Sequence, residues 1–170
     1  MGLTDDQWIE VLTRKFKGII VCDGWKPYAR FTKNLQRCWA HLLRESKDLS
    51  ETFGEAVPLH EALKGLYESL TKSLECEPPP EVRMNIWQSA REVLQHWIDR
   101  EYLEVKVQKF IGKICNGFDY WFTFILNPGV EPTNNRAERA LRPHVVLRKI
   151  LGTLRNSKGT AIHELMMTAL

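Results

Sequence analysis

The stretch "GIIVCDG", Gly18 to Gly24, decides how this chain is read. Ile19, Ile20 and Val21 are β-branched, Cys22 is apolar, and an Asp-Gly turn follows at once. A short apolar run without alternation, closed by a turn dipeptide, predicts a strand buried on both faces with Asp23 at its carboxyl end. A single strand cannot make a sheet. Either this is an all-helical protein with one misread segment, or the partners of "GIIVC" lie outside the chain.

Outward from that strand the pattern is helical. "LTDDQWIEVLTRKF" before it predicts a helix, with Thr4 and Gln7 at capping-box spacing and Trp8, Val11 and Leu12 on one face. After it, "WKPYARF" reads as a short helical segment with Pro27 in its first turn. "LQRCWAHLLRESKDL" turns from a very short strand near Arg37 into a helix through Leu43. From about Glu55 to Leu126 three apolar stripes recur at helical spacing. The first runs from Leu59 to Leu70, the second is Val82, Ile86, Ala90, Leu94, Trp97 and Ile98, and the third runs from Val107 to Ile125. The prolines of "ECEPPPE" separate the first two. "NPGVEPTNN" predicts a loop, and a last helical region starts at Asn134 or Asn135, with Pro143 expected to kink or divide it. "GTLRNSKGT" then reads as a basic loop and "AIHELMMTAL" as a closing helix.

The 170 residues, 44% hydrophobic and 26% charged, suffice for a domain with a real core. Four irregularly spaced cysteines, no signal-peptide pattern at the start and no apolar run of membrane length predict a soluble cytoplasmic protein with reduced thiols. Net charge is only +3, but it is unevenly spread. Between Thr133 and His163 seven basic residues face a single acid, Glu138, while the remainder of the chain is mildly acidic. Such a local basic stretch is the pattern expected of a nucleic-acid footprint, although solvated basic faces on ordinary proteins are common.

An acid inside that stretch has two readings. With Asn135 as N-cap, Glu138 stands at the third helical position and closes a capping box; it also pairs at i,i+4 with Arg142. Alternatively Asp23 and Glu138 are metal ligands. Phosphoryl transfer on DNA by two metals needs carboxylates to hold cations about 3.5–4 Å apart, and carboxylates suit the hard cation Mg²⁺. Arginines and helix-start amides would then hold the flanking phosphates.

Three blocks carry a family resemblance: "VCDGWKPYARF", "RCWAHLLRESKDL" and "EPTNNRAERALRPHVVLRKILGTLRNSKG". In this order they resemble the second-aspartate, CWAH and glutamate blocks of DDE transposases of the insertion sequence 66 family. The resemblance implies an α/β, mostly helical fold, a truncated ribonuclease H-like core with an all-α insertion. Residues 1–41 and 116–170 would be the partial core and 42–115 the helical insertion. It implies cutting and joining of transposon DNA with Mg²⁺ or Mn²⁺, with Asp23 and Glu138 as catalytic and metal-binding carboxylates. It also implies transposon-end DNA as partner and a prokaryotic, nucleoid-associated setting. The DNA-binding set is then Asn134, Asn135, Arg136, Arg139, Arg142, Arg148, Lys149, Arg155 and Lys158, of which Arg148, Lys149, Arg155 and Lys158 are expected to contact phosphate and not base edges.

A DDE site draws its first aspartate from an earlier strand, and only 22 residues precede Asp23. The resemblance therefore implies the C-terminal piece of a transposase, inactive alone, working as a homo-oligomer or with the missing N-terminal part. Cys38 and His41 have metal-ligand spacing but no second pair nearby, which argues against zinc. Related DDE families carry a similar Cys-x-x-His, and the resemblance implies that these residues shape the site or seat the insertion. Trp25 and Tyr28 suit either base stacking or core packing. Two other classes compete: a DNA-binding or assembly module left from a transposase, and a helical interaction protein in which Glu138 is a cap and Asp23 a turn.

Overall fold

The structure, a computed structural model, describes residues 16–24, 28 and 32–151, without the side chains of 144 and 147–151. The opening helix as far as residue 15, all of "WKPYARF" but Tyr28, the basic loop and the closing helix lie outside the described residues. The chain divides into two compact units, Met1–Asn134 and Asn135–Leu170.

The strand has its partner within the chain. β1, Ile20–Cys22, pairs in parallel with β2, Leu35–Arg37, in the register Ile20 with Leu35, Val21 with Gln36 and Cys22 with Arg37. This corrects the expectation that "GIIVC" is either misread or partnered from outside. Parallel strands need a crossover of about a dozen residues, and the segment from Asp23 to Asn34 supplies it. β2 was marked only as a very short strand because three residues carry almost no periodic signal. Amide bonds extend the ladder at both ends: Ile20 donates to the Asn34 carbonyl at 3.0 Å and Cys38 to the Cys22 carbonyl at 2.8 Å.

Helices make up the rest of the first unit. α1 spans Trp39–Thr52, α2 Val57–Leu74, α3 Pro80–Ile98, α4 Val105–Asn116 and the short α5 Thr123–Leu126. Pro80 opens α3 at its first turn, where a missing N–H costs nothing. The loop after α5 contains a turn in which the Val130 amide donates to the Asn127 carbonyl at 3.1 Å, with Pro128 second and Gly129, at φ 87°, third. That is the residue order a type II turn requires.

One core joins these helices: Trp39 and Leu42 from α1, Leu59 and Leu63 from α2, Ala90 and Leu94 from α3, Val107, Phe110 and Ile114 from α4, and Phe122, Phe124 and Ile125 around α5. Trp39 stands at its centre with no exposed surface, stacked on Tyr67 at 5.5 Å and packed on Trp121 and Phe122. Two stripes depart from expectation. Val82 is exposed, and Arg83 takes the buried position, donating to the carbonyls of Pro78 and Ile125, both at 2.9 Å. The third stripe is not one helix, because α4 stops at Asn116 and Gly117, Phe118–Tyr120 forms a 3₁₀ turn, and α5 follows.

In the second unit, α6 runs Asn135–Leu151 with Pro143 inside it, so the proline does not divide the helix. The turns on either side absorb the one absent N–H.

Candidate nucleic-acid and carboxylate site

Open parallel sheets present ligand sites at the carboxyl ends of their strands. Here those ends are Cys22 and Arg37, paired in register, with Asp23 exposed on the turn that follows Cys22. Gly24 comes next at φ 97°, a conformation that a side chain would strain. A Cβ there would also fall 2.6 Å from an Arg37 terminal nitrogen. Gly117 repeats the arrangement on another side: a Cβ would lie 2.9 Å from Arg37 Nε and 3.1 Å from the Trp121 indole nitrogen. The guanidinium itself lies over the Trp121 ring, 5.6 Å from its centroid. Two bare backbone faces and one aromatic ring thus hold Arg37 beside the Asp23 turn.

The Cys22 thiol is nearby and buried. Burial pushes its pKa up; the Gly24 backbone N–H bond opposes this, the Asp23 charge adds to it, the Arg37 charge opposes it, and Cys38 adds to it. A thiol held protonated in this way is a packing group and a poor nucleophile. Tyr28 is half-buried, and burial first, then the charges of Asp23 and Cys22, raise its phenol pKa.

At the end of β2 the chain turns directly into α1 through Cys38, which is buried and caps the helix without a side-chain bond. The loop before α6 is moored on this junction. Trp39 donates its amide to the Pro132 carbonyl at 3.0 Å, and the Asn134 amide donates to Cys38 Sγ at 3.4 Å. Gln36 secures β2 from the other side: its Nε2 donates to the Trp121 carbonyl at 3.2 Å and its Oε1 accepts from the Phe124 amide at 2.9 Å. The Trp39 indole donates to the same Trp121 carbonyl at 2.7 Å, and Thr123 Oγ1 donates to the Leu35 carbonyl at 2.6 Å.

The predicted site residues therefore fall into groups. Asp23, Cys38, His41 and Asn134 belong to the first unit; His41 is half-buried one turn into α1, and the Asn134 side-chain oxygen is buried. Asn135, Arg136, Glu138, Arg139 and Arg142 are exposed on α6 in the second unit, Glu138 in its first turn, with Arg139 Nε donating to the Asn135 carbonyl at 3.3 Å. α6 begins at Asn135 and carries Glu138 in its first turn, where an acid suits the helix dipole. Arg148 and Lys149 lie on α6 without described side chains, and Trp25, Arg155 and Lys158 lie outside the described residues.

Sequence reading missed Arg37, Gly24 and Gly117 as one unit. The glycines lie 93 positions apart, and nothing in either neighbourhood signals that both face the same side chain.

Carboxylates are chemically apt for Mg²⁺, and Asp23 is accessible to such an ion. Among the described residues, however, no group of three or more His, Cys, Asp or Glu side chains is placed to hold a metal. The donor set falls short of a two-metal site, so no chemical step is derived through a metal.

The model of the transposase IS66 family matches residues 5–162, and the chain belongs to that family. No curated protein and no solved structure gave a match.

Proposed function

We propose that the chain is part of the catalytic region of a DDE transposase and binds transposon DNA through its basic segment. Asp23 and Glu138 would supply two of the carboxylates for Mg²⁺-dependent strand cleavage and joining. One observation carries the reading. Asp23 stands at the carboxyl end of a parallel strand, and the loop that leads into the helix of Glu138 is tied to Cys38, directly after the neighbouring strand. Cys38 and Trp39 then have a mechanical task, tethering the loop at Pro132 and Asn134 to the sheet.

The parallel pair with its crossover is the smallest piece of a ribonuclease H-like sheet, and we assign residues 1–41 and 116–170 to that core and 42–115 to an inserted helical layer. Arginines on α6 would offset the repulsion between carboxylates and a polyanionic substrate. The oligomer, or a further polypeptide, would contribute the remaining carboxylate.

Calorimetric titration with Mn²⁺ tests the assignment. The expected outcome is weak binding to the native chain that disappears in both Asp23→Ala and Glu138→Ala. If each variant binds Mn²⁺ as the native chain does, the two acids are a turn residue and a helix-start residue, and the protein is a DNA-binding or assembly module.

A further inference from the structure

We infer that Arg37 is a phosphate ligand of the DNA site, seating a backbone phosphodiester beside the Asp23 turn; this rests on the DNA-binding reading above. Guanidinium groups carry five N–H donors in a planar fork that matches phosphate oxygens. Two other arginines use such donors within the fold. Arg83 gives two to main-chain carbonyls, and Arg91 gives one to the Asp119 carboxylate at 3.0 Å while lying over Trp87 and Phe118. Among the described residues, Arg37 has neither a carboxylate within ion-pair distance nor a carbonyl accepting from its side chain.

Its position is nonetheless narrowly defined. The Trp121 ring supports one face, and the α-carbons of Gly24 and Gly117 approach so closely that no β-carbon would fit at either without displacing it. A half-buried guanidinium that lies over an aromatic ring, with no acceptor for its side-chain donors among the described residues, is available to an external anion. Location indicates which anion. Arg37 pairs with Cys22 at the carboxyl ends of the parallel strands, where sheets of this kind bind ligands, and Asp23 is the next residue after Cys22. A cation there offsets the repulsion a carboxylate exerts on an approaching phosphodiester.

The test is fluorescence anisotropy of the full 170-residue chain with a short duplex of arbitrary sequence, across a salt series. Phosphate contacts are independent of sequence, so the probe need not be a transposon end. Arg37→Gln should weaken binding roughly tenfold or more and lower the salt slope by about one. Arg37→Lys should keep the slope while losing part of the affinity, because the charge remains and the fork does not. Gly117→Ala provides the second arm. It leaves every charge in place but drives a methyl into Nε, so it should lose affinity as Arg37→Gln does. Thermal unfolding followed by tryptophan fluorescence checks that each variant is folded. Native binding with Arg37→Gln, folded, showing the native affinity and slope would overturn the inference and leave the DNA-binding reading standing. A native chain that does not bind the duplex at all overturns both.

Discussion

Gln36 shows how much a single side chain organises here. It is fully buried in a strand of three residues, and its primary amide is used at both ends, toward the Trp121 carbonyl and from the Phe124 amide. A buried polar group is tolerated only when its partners are present, and these partners belong to the segment after α4. Gln36→Leu keeps the volume and removes both bonds. The Trp121 carbonyl retains the Trp39 indole, but the buried Phe124 N–H loses its acceptor. The expected cost is about 1–3 kcal/mol, read from the urea midpoint at unchanged slope. A loss below a few tenths would mean that the sheet does not depend on this bond. The same contrast between fold and role applies to Trp39: within the CWAH block it is the tryptophan in the middle of the aromatic cluster, so its first function is to hold the core.

At the scale of elements, helix ends are completed from a distance. α4 follows Leu103 and Glu104, and both of their amides donate to the Glu55 carboxylate, at 2.9 and 2.8 Å. That carboxylate comes from the 3₁₀ turn before α2, nearly fifty positions away, and it also favours the positive end of α4. No capping residue stands at the local position: Glu104 makes no side-chain cap bond. Glu55→Ala should cost about 1 kcal/mol and act on the α4 end first, so hydrogen exchange at the start of α4 should accelerate more than at α1. Equal acceleration everywhere would show that the cap has only a global effect. The Lys113–Glu45 pair, at 2.6 Å but with both side chains more than two-fifths exposed, belongs to the weaker class of surface pairs that salt screens.

For the whole molecule, the consequence of membership in a transposase family is set by the number of carboxylates. Asp23 and Glu138 are the two carboxylates proposed above, and no group of three or more possible metal ligands occurs among the described residues. On the proposed reading, in which a further carboxylate comes from another polypeptide, the isolated chain is expected to bind duplex DNA in a salt-dependent way without cutting or joining it in Mg²⁺ or Mn²⁺. Strand transfer by the purified 170-residue chain, seen on a denaturing gel and lost in Asp23→Ala, would reverse this expectation. No described helix is long and apolar enough to cross a membrane, and the helical layer gains its burial from neighbours within the first unit.

Much of this was legible in the residues themselves. Helical stripes, the proline-marked breaks, the first strand and the family blocks follow from periodicity and local chemistry, which depend on neighbours a few positions apart. The same locality explains what was misjudged. Val82 fits an apolar stripe by spacing, yet Arg83 turns inward because two main-chain carbonyls, one more than forty positions downstream, accept its protons. β2 became a strand through pairing with β1, the loop before α6 came to rest on Cys38, and two distant glycines came to face one arginine. Sequence by itself determined the helices, the strand that ends at Asp23 and the family, since each is written in short-range pattern. Only the tertiary structure decided the partner of that strand and the seating of Arg37, because long-range hydrogen bonds and steric fit between distant segments leave no periodic trace along the chain.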